Sequence, residues 1–197
     1  MLLLTALLLL CAFPVVTSAA TTYTVVRGDS MWKIAVRYEV GLDELKRANP
    51  HIKNPALIYP GDVLSIPQTD ATVLSFESEV VRLVNEKRAE YGLKPLTQSW
   101  ELARVARYKS QDMSDNGYFS HTSPVYGSPF QMMKSFGITY RTAGENIARG
   151  QATPKAVVDA WMNSASHRAN ILGASFTEIG VGYVASGRYW TQMFIGK

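Results

Sequence analysis

An α+β fold in two modules is predicted by three observations. Residues 22–67 read as strand, helix, helix, strand around a thin apolar core. Residues 74–197 carry helical apolar spacing first and alternating strand patterning last, which predicts helices packed around a small antiparallel sheet, an α-β-α sandwich. Between them residues 68–73 are short and polar and start no periodic pattern, so the module boundary is placed there. A chain of 197 residues is long enough for one medium and one small module.

The chain opens on an almost wholly apolar run over residues 2–16, dominated by Leu2–Leu4 and Leu7–Leu10. Thr17, Ser18, Ala19 and Ala20 supply small residues for cleavage after Ala19 or Ala20. The run is shorter than the roughly twenty residues a spanning helix needs, and Pro14 lies near its end. Residues 1–20 are therefore predicted to be a signal peptide, and the protein to be secreted. The departure from that pattern is the lack of lysine or arginine before the apolar core. Left uncleaved, the segment would be a membrane anchor, the one route to a membrane that the sequence offers.

Cys11 is the only cysteine. Once residues 1–20 are removed, disulfides and a cysteine nucleophile are both excluded. The net charge is +4, and lysine and arginine form no run, which speaks against a nucleic-acid partner. Mild positive charge on a secreted protein instead favours anionic wall polymers or membranes.

In the first module Tyr23 begins a strand, and Arg27-Gly28-Asp29-Ser30 turns it. Ser30 can cap a helix whose Met31, Ile34, Ala35 and Tyr38 share a face. Gly41 breaks that helix, and a second one carries Leu42, Leu45 and Ala48 before Pro50. Asn54-Pro55 starts a loop, Tyr59-Pro60-Gly61 turns, and Val63–Ile66 closes the module. His51 falls in a loop and is expected in solvent.

In the second module a helix from Ser75 places Phe76, Val80, Leu83, Val84 and Lys87 on one side, and Tyr91-Gly92 closes it. A second helix begins at Ser99 and repeats Leu102, Val105, Ala106, Lys109 and Met113 at helical spacing. Ser128-Pro129 starts a third. A glycine turn is expected to present Glu145 and Asn146. Thr153 and Pro154 start a helix that Trp161 ends, and His167 opens another. Two strands follow, through Gly180-Val181-Gly182 and through Tyr189, Thr191 and Met193. Trp100, Trp161 and Trp190 are read as core or cleft-wall residues.

The stretch YTVVRGDSMWKIAVRYEVGLDELKRANPHIKNPALIYPGDVLSIP resembles the LysM family over the whole first module. That resemblance implies binding to glycans containing N-acetylglucosamine, peptidoglycan above all. It implies a shallow groove with Gly28, Asp29, Ser30 and Met31 on one side and Asn54, Ala56, Leu57 and Ile58 on the other. Turns suit that task, because acetamido groups need backbone donors, backbone acceptors and small apolar contacts. The competing reading is that Gly28 and Asp29 only make the turn. A single module should bind weakly and gain from a repeating polymer.

The pieces LVNEKRAEYGLKPL, YFSHTSP, AGENIARG, WMNSASHRANIL, FTEIGVGY and YWTQMFI, in that order, resemble the bacterial branch of the CAP superfamily. That group is named for cysteine-rich secretory proteins, antigen 5 and pathogenesis-related 1. The resemblance implies a cleft with His121, His167 and Glu145. Eukaryotic members carry a second acidic residue just after the helix tryptophan. Here Trp161 is followed by Met162, Asn163 and Ser164, so Glu178 either substitutes for that carboxylate or merely starts a strand.

Two imidazoles and a carboxylate could hold zinc or another divalent cation, with a fourth position for water. The alternative is a metal-free polar cleft in which each histidine hydrogen-bonds Glu145 or Asn146. Ser120, Ser164 and Ser166 flank the histidines without forming a recognisable nucleophile motif. Glu145 and Glu178 could in principle act as acid and base on a glycan. The family has no agreed general catalytic activity, so binding is expected rather than catalysis. The competing function is a metal-dependent hydrolase of wall peptide or glycan; lipid binding in an apolar groove is a third. The expected location is the cell wall or spore envelope, with wall or spore-coat proteins as further partners.

Overall fold

The computed structural model describes residues 21–197; the export segment read over residues 1–20, with Cys11, lies outside them. In the first module β1 (Thr21–Thr24) pairs antiparallel with β2 (Val63–Ile66), and α1 (Met31–Arg37) and α2 (Leu42–Ala48) pack against them. The Ser30 hydroxyl accepts from Lys33 N and starts α1. Ile34, Leu45 and Leu64 are fully buried at the centre. Asn49 ties α2 to the sheet: its Nδ2 donates to Leu45 O and Ser65 O at 2.8 Å, and its Oδ1 accepts from Ser65 N at 2.7 Å. That network satisfies a buried amide on both sides.

The second module begins with α3 (Ala71–Glu90), which starts inside the stretch expected to be a linker. Asp70 explains the difference, since its carboxylate accepts from Thr72 N and Val73 N at 2.8 and 3.2 Å and caps the helix early. There follow β3 (Thr97–Gln98), α4 (Trp100–Asp115), α5 (Pro129–Ser135), β4 (Thr142–Arg149), α6 (Pro154–Asn163), α7 (Ala165–Ile171), β5 (Glu178–Val184) and β6 (Tyr189–Gly196). The sheet runs β3-β5-β6-β4; β3 is parallel to β5 and the other neighbours are antiparallel, so the sheet is mixed rather than purely antiparallel. Glu145 and Asn146 lie within β4, not in a turn. Helix α7 begins two residues before the expected His167.

Helices cover both faces of this sheet. Val80 and Val84 of α3, with Val157 and Trp161 of α6, pack on Ile179, Val181, Trp190 and Phe194. Leu102, Val105 and Ala106 of α4, with Met132 and Met133 of α5, pack on Met193 and Ile195. The strand period of two sends alternate β6 residues to opposite layers. Gly180 and Gly182 face α4 at a distance that no side chain fits: a Cβ at Gly182 would lie 2.2 Å from Ala106 C, and one at Gly180 2.3 Å from Leu102 C.

Apolar spacing misplaced part of α3. Lys87 is not buried, whereas the charged Glu77 and Arg88 are. Glu77 accepts from Arg107 Nη2 at 2.6 Å and from Tyr183 N at 3.1 Å, joining α3, α4 and β5. Arg88 donates to the carbonyls of Lys94, Ile171 and Gly173, which closes the end of α7. Among the described residues no helix is long and apolar enough to cross a membrane.

Candidate functional site

Strand β4 forms one edge of the sheet, and its alternation sorts the expected site residues. Ala143 and Ile147 pack in the layer of α4 and Met113, and Glu145 shares their parity. Ala148 packs with α6, and Asn146 shares its parity. His121 approaches Glu145 from the loop after α4, with His121 Nδ1 2.7 Å from Glu145 Oε1. The Glu145 side chain is 1% exposed and that of His121 is 52% exposed. With the carboxylate as acceptor, His121 Nδ1 is the donor of this bond. Glu145 Oε2 is buried and has no partner among the described residues.

On the other side Asn146 Nδ2 donates to His167 O at 3.1 Å and to Gln192 Oε1 at 3.0 Å. Its Oδ1 accepts from Asn170 Nδ2 at 2.8 Å. This network holds the backbone of α7 against the edge strand. Burial lowers the pKa of His167, and the nearby charge of His121 lowers it further, so the two imidazoles share one electrostatic neighbourhood.

Lys109 lies behind the carboxylate and is fully buried. Its Nζ donates to His121 O at 2.7 Å and to Tyr118 OH at 3.3 Å. Burial pushes its pKa down, while the charges of Glu145 and Asp112 pull it up. Glu145 is raised by burial and drawn back by His121 and by the Lys109 charge. Asp112 accepts from Tyr118 OH, Ser123 Oγ and Asn116 Nδ2, so its carboxylate is held by three neutral donors. The α4 pattern carried a signal for this lysine, a charge at an apolar position of the helical repeat, although nothing in it named a function.

That arrangement bears on metal. Among the described residues no group of three or more His, Cys, Asp or Glu side chains is placed to hold a metal ion. His121, Glu145 and His167 are thus not gathered into a three-ligand group among the described residues. The Lys109 ammonium acts on Glu145 through its charge, while its own hydrogen bonds go to His121 O and Tyr118 OH.

Glu178 does not join this site. It starts β5, two strands from β4, and pairs with Lys197 Nζ at 2.7 Å. Ser120 Oγ accepts from Thr122 N, and Ser164 Oγ lies 3.3 Å from Ser166 Oγ; no serine bonds either imidazole among the described residues. Trp161 and Trp190 are core residues, their Nε1 atoms donating to Ile147 O and Gln151 O.

In the first module, much of one expected groove wall serves the turn itself. Asp29 accepts from Tyr23 OH at 2.7 Å and Val26 N at 3.0 Å, and Ser30 caps α1. Met31 is buried in the module core, so its side chain is not presented to a ligand. Gly28 adopts φ +93°, and its carbonyl accepts from Lys33 Nζ. On the other wall Asn54 Oδ1 accepts from Ala56 N, Ile58 packs against the core, and Leu57 is exposed. The two walls adjoin through Gly61 N to Val25 O and Val25 N to Asp62 O. Val26 and Tyr59 add exposed apolar surface that the motif did not single out.

Comparison with known proteins places both modules. The Cysteine-rich secretory protein family (CAP) profile matches residues 81–194, and the LysM domain profile matches residues 23–67. The uncharacterized protein YkwD of Bacillus subtilis is 62% identical over 127 residues, covering 64% of this chain and 49% of YkwD. The chain thus spans about half the length of that curated relative. A probable autolysin, LDP, of Staphylococcus aureus is 49% identical over 53 residues, 26% of this chain and 18% of that protein. The crystal structure of an extracellular SCP-domain protein from Bacillus anthracis superposes with a TM-score of 0.62 at 34% identity, covering 70% of this chain and 47% of that one.

Proposed function

Because the chain belongs to the cysteine-rich secretory protein family and carries a LysM domain ahead of that region, we propose that it is a secreted wall-binding protein. The LysM module holds it on glycans containing N-acetylglucosamine, through backbone groups of the Gly28–Ser30 and Asn54–Ile58 loops and the exposed Leu57 side chain. The CAP domain then presents a ligand-binding cleft. The observation that carries this reading is the half-exposed His121 imidazole held at Nδ1 by the buried Glu145 carboxylate. Glu145 Oε2 itself is closed to solvent, so a ligand would meet the half-exposed His121 imidazole that Glu145 Oε1 holds in place.

The test is to sediment residues 21–197 with purified peptidoglycan and assay the supernatant for released muropeptides. Co-sedimentation without release, unaffected by His121→Ala, is the expected result. A second reading has one observation in its favour: an imidazole whose Nδ1 is held by a carboxylate is arranged as a general base. Muropeptide release abolished by His121→Ala would replace the binder with a hydrolase.

A further inference from the structure

A second cleft, of about 350 Å³, lies between the two modules and shares no lining residue with the His121–Glu145 site. That volume is in the range of small-ligand sites, roughly 300–1,000 Å³. Its LysM wall is α1, with Trp32 and Val36. Its CAP wall is the start of α4, with Trp100 and Glu101, and the Glu178–Lys197 pair where β5 starts and β6 ends.

The cleft is built by a clamp. Arg104 Nε and Nη2 donate to the two Glu44 oxygens at 2.6 and 2.8 Å, and the guanidinium lies 5.0 Å from the Phe136 ring centre. Arg47 Nη2 adds a 2.9 Å bond to Tyr108 OH. Gly41 lines the same cleft, and any side chain there would occupy the place of the Glu44 and Arg104 groups.

The lining selects a chemical class. Both cations that face the cleft are answered, Arg104 by Glu44 and Lys197 by Glu178, so an anionic ligand finds no free partner. Glu101 forms no ion pair within 4.0 Å among the described residues, and it remains an acceptor. Trp32 leaves 63% of its surface in water, an indole face open on the cleft's rim. Aromatic faces with a free acceptor suit a ligand that has apolar ring faces and a rim of hydroxyl and amide donors.

We propose that this intermodule cleft binds a neutral saccharide of the wall glycan, its rings against Trp32 and Trp100 and its hydroxyl or acetamido N–H groups donating to Glu101. This rests on the glycan-binding reading of the LysM module, and the variants below separate the two. The probe is a β-1,4-linked N-acetylglucosamine hexamer, titrated calorimetrically into residues 21–197. Glu101→Ala lies on the CAP wall, away from the LysM groove, and Leu57→Ala lies in that groove. Both side chains are exposed, and an unchanged melting temperature verifies folding. Glu101→Ala and Trp32→Ala are each expected to weaken hexamer binding roughly fivefold to tenfold, the loss of one desolvated acceptor or aromatic contact.

If Leu57→Ala weakens binding while Glu101→Ala and Trp32→Ala do not, the cleft proposal is overturned and the groove reading stands. If only the cleft variants weaken it, the cleft is supported and the groove reading fails. If the hexamer does not bind the unaltered protein, both fall. Binding of a lysine-rich peptide that depends on Glu101, with no effect of that residue on the hexamer, would also overturn the saccharide assignment.

Discussion

Lys109 Nζ donates a 2.7 Å hydrogen bond to the carbonyl oxygen of His121, so a fully buried ammonium anchors the segment that carries the exposed imidazole. The same ammonium compensates Glu145 and Asp112. One lysine therefore fixes the loop, and its charge acts on the Glu145 carboxylate.

Replacing Lys109 with methionine leaves two buried carboxylates uncompensated and a carbonyl without its donor. A loss of about 3 kcal/mol is expected, in line with breaking a buried charge pair from one side. Denaturant unfolding measures it. In a double-mutant cycle, Glu145→Gln should recover part of the loss; full additivity would show that the two side chains do not interact.

Chelation should leave the protein unchanged. With Lys109 in place, dialysis against EDTA is expected to shift neither the melting temperature nor the His121 NMR signals. Added zinc should bind no site that His121→Ala removes. A His121-dependent, stoichiometric zinc site seen by calorimetry would show that the ammonium moves aside.

Gly182→Ala tests the close approach of sheet and helix. The new methyl would lie 2.2 Å from the Ala106 carbonyl carbon, and backbone cannot give way as a flexible side chain can. A loss of more than about 2 kcal/mol, or failure to accumulate folded protein, is expected. Circular dichroism melting that matched the unaltered protein would refute the packing described here.

The clamp between the modules should loosen in acid. Burial pushes the Glu44 pKa up, but the hydrogen bonds and charge of Arg104 outweigh it, and the net shift is downward from 4.5. A carboxylate with a depressed folded pKa contributes stability that is present above its unfolded value and lost as pH falls through its folded value. Small-angle scattering should therefore show the modules separating as pH falls below the ordinary carboxylate range, with neutral pH restoring the compact form. Arg104→Met should give the separated form already at pH 7. Scattering that is identical at both pH values and in the variant would count against the clamp.

The LysM repeat of strand, helix, helix and strand was legible because each element carries a local signal: the Ser30 cap, the Gly41 break and alternating Val63–Ile66. The core positions of α4 and the two last strands were legible for the same reason. Glu145 was misread as part of a turn because the Gly144-Glu145-Asn146 run carries a glycine, and glycine in an edge strand looks like a turn when its partner, Phe194, is 50 residues away. Asp70 was passed over because it sits among the polar residues of the intermodule stretch, although Val73 and Phe76 behind it pack on the core.

The sequence by itself determined the module order and the type of nearly every long element, and it singled out His121 and Glu145, which the fold brings to 2.7 Å. Those follow from period, caps and motif, all of which act over a few residues. Only the tertiary structure decided that the buried Lys109 charge acts on Glu145, that Glu178 belongs to a different cleft, and that the modules meet through Glu44 and Arg104. Each of these joins groups at least 19 residues apart in the chain, and burial and charge compensation across such distances exist only once the sheet has formed and the helices have closed over it.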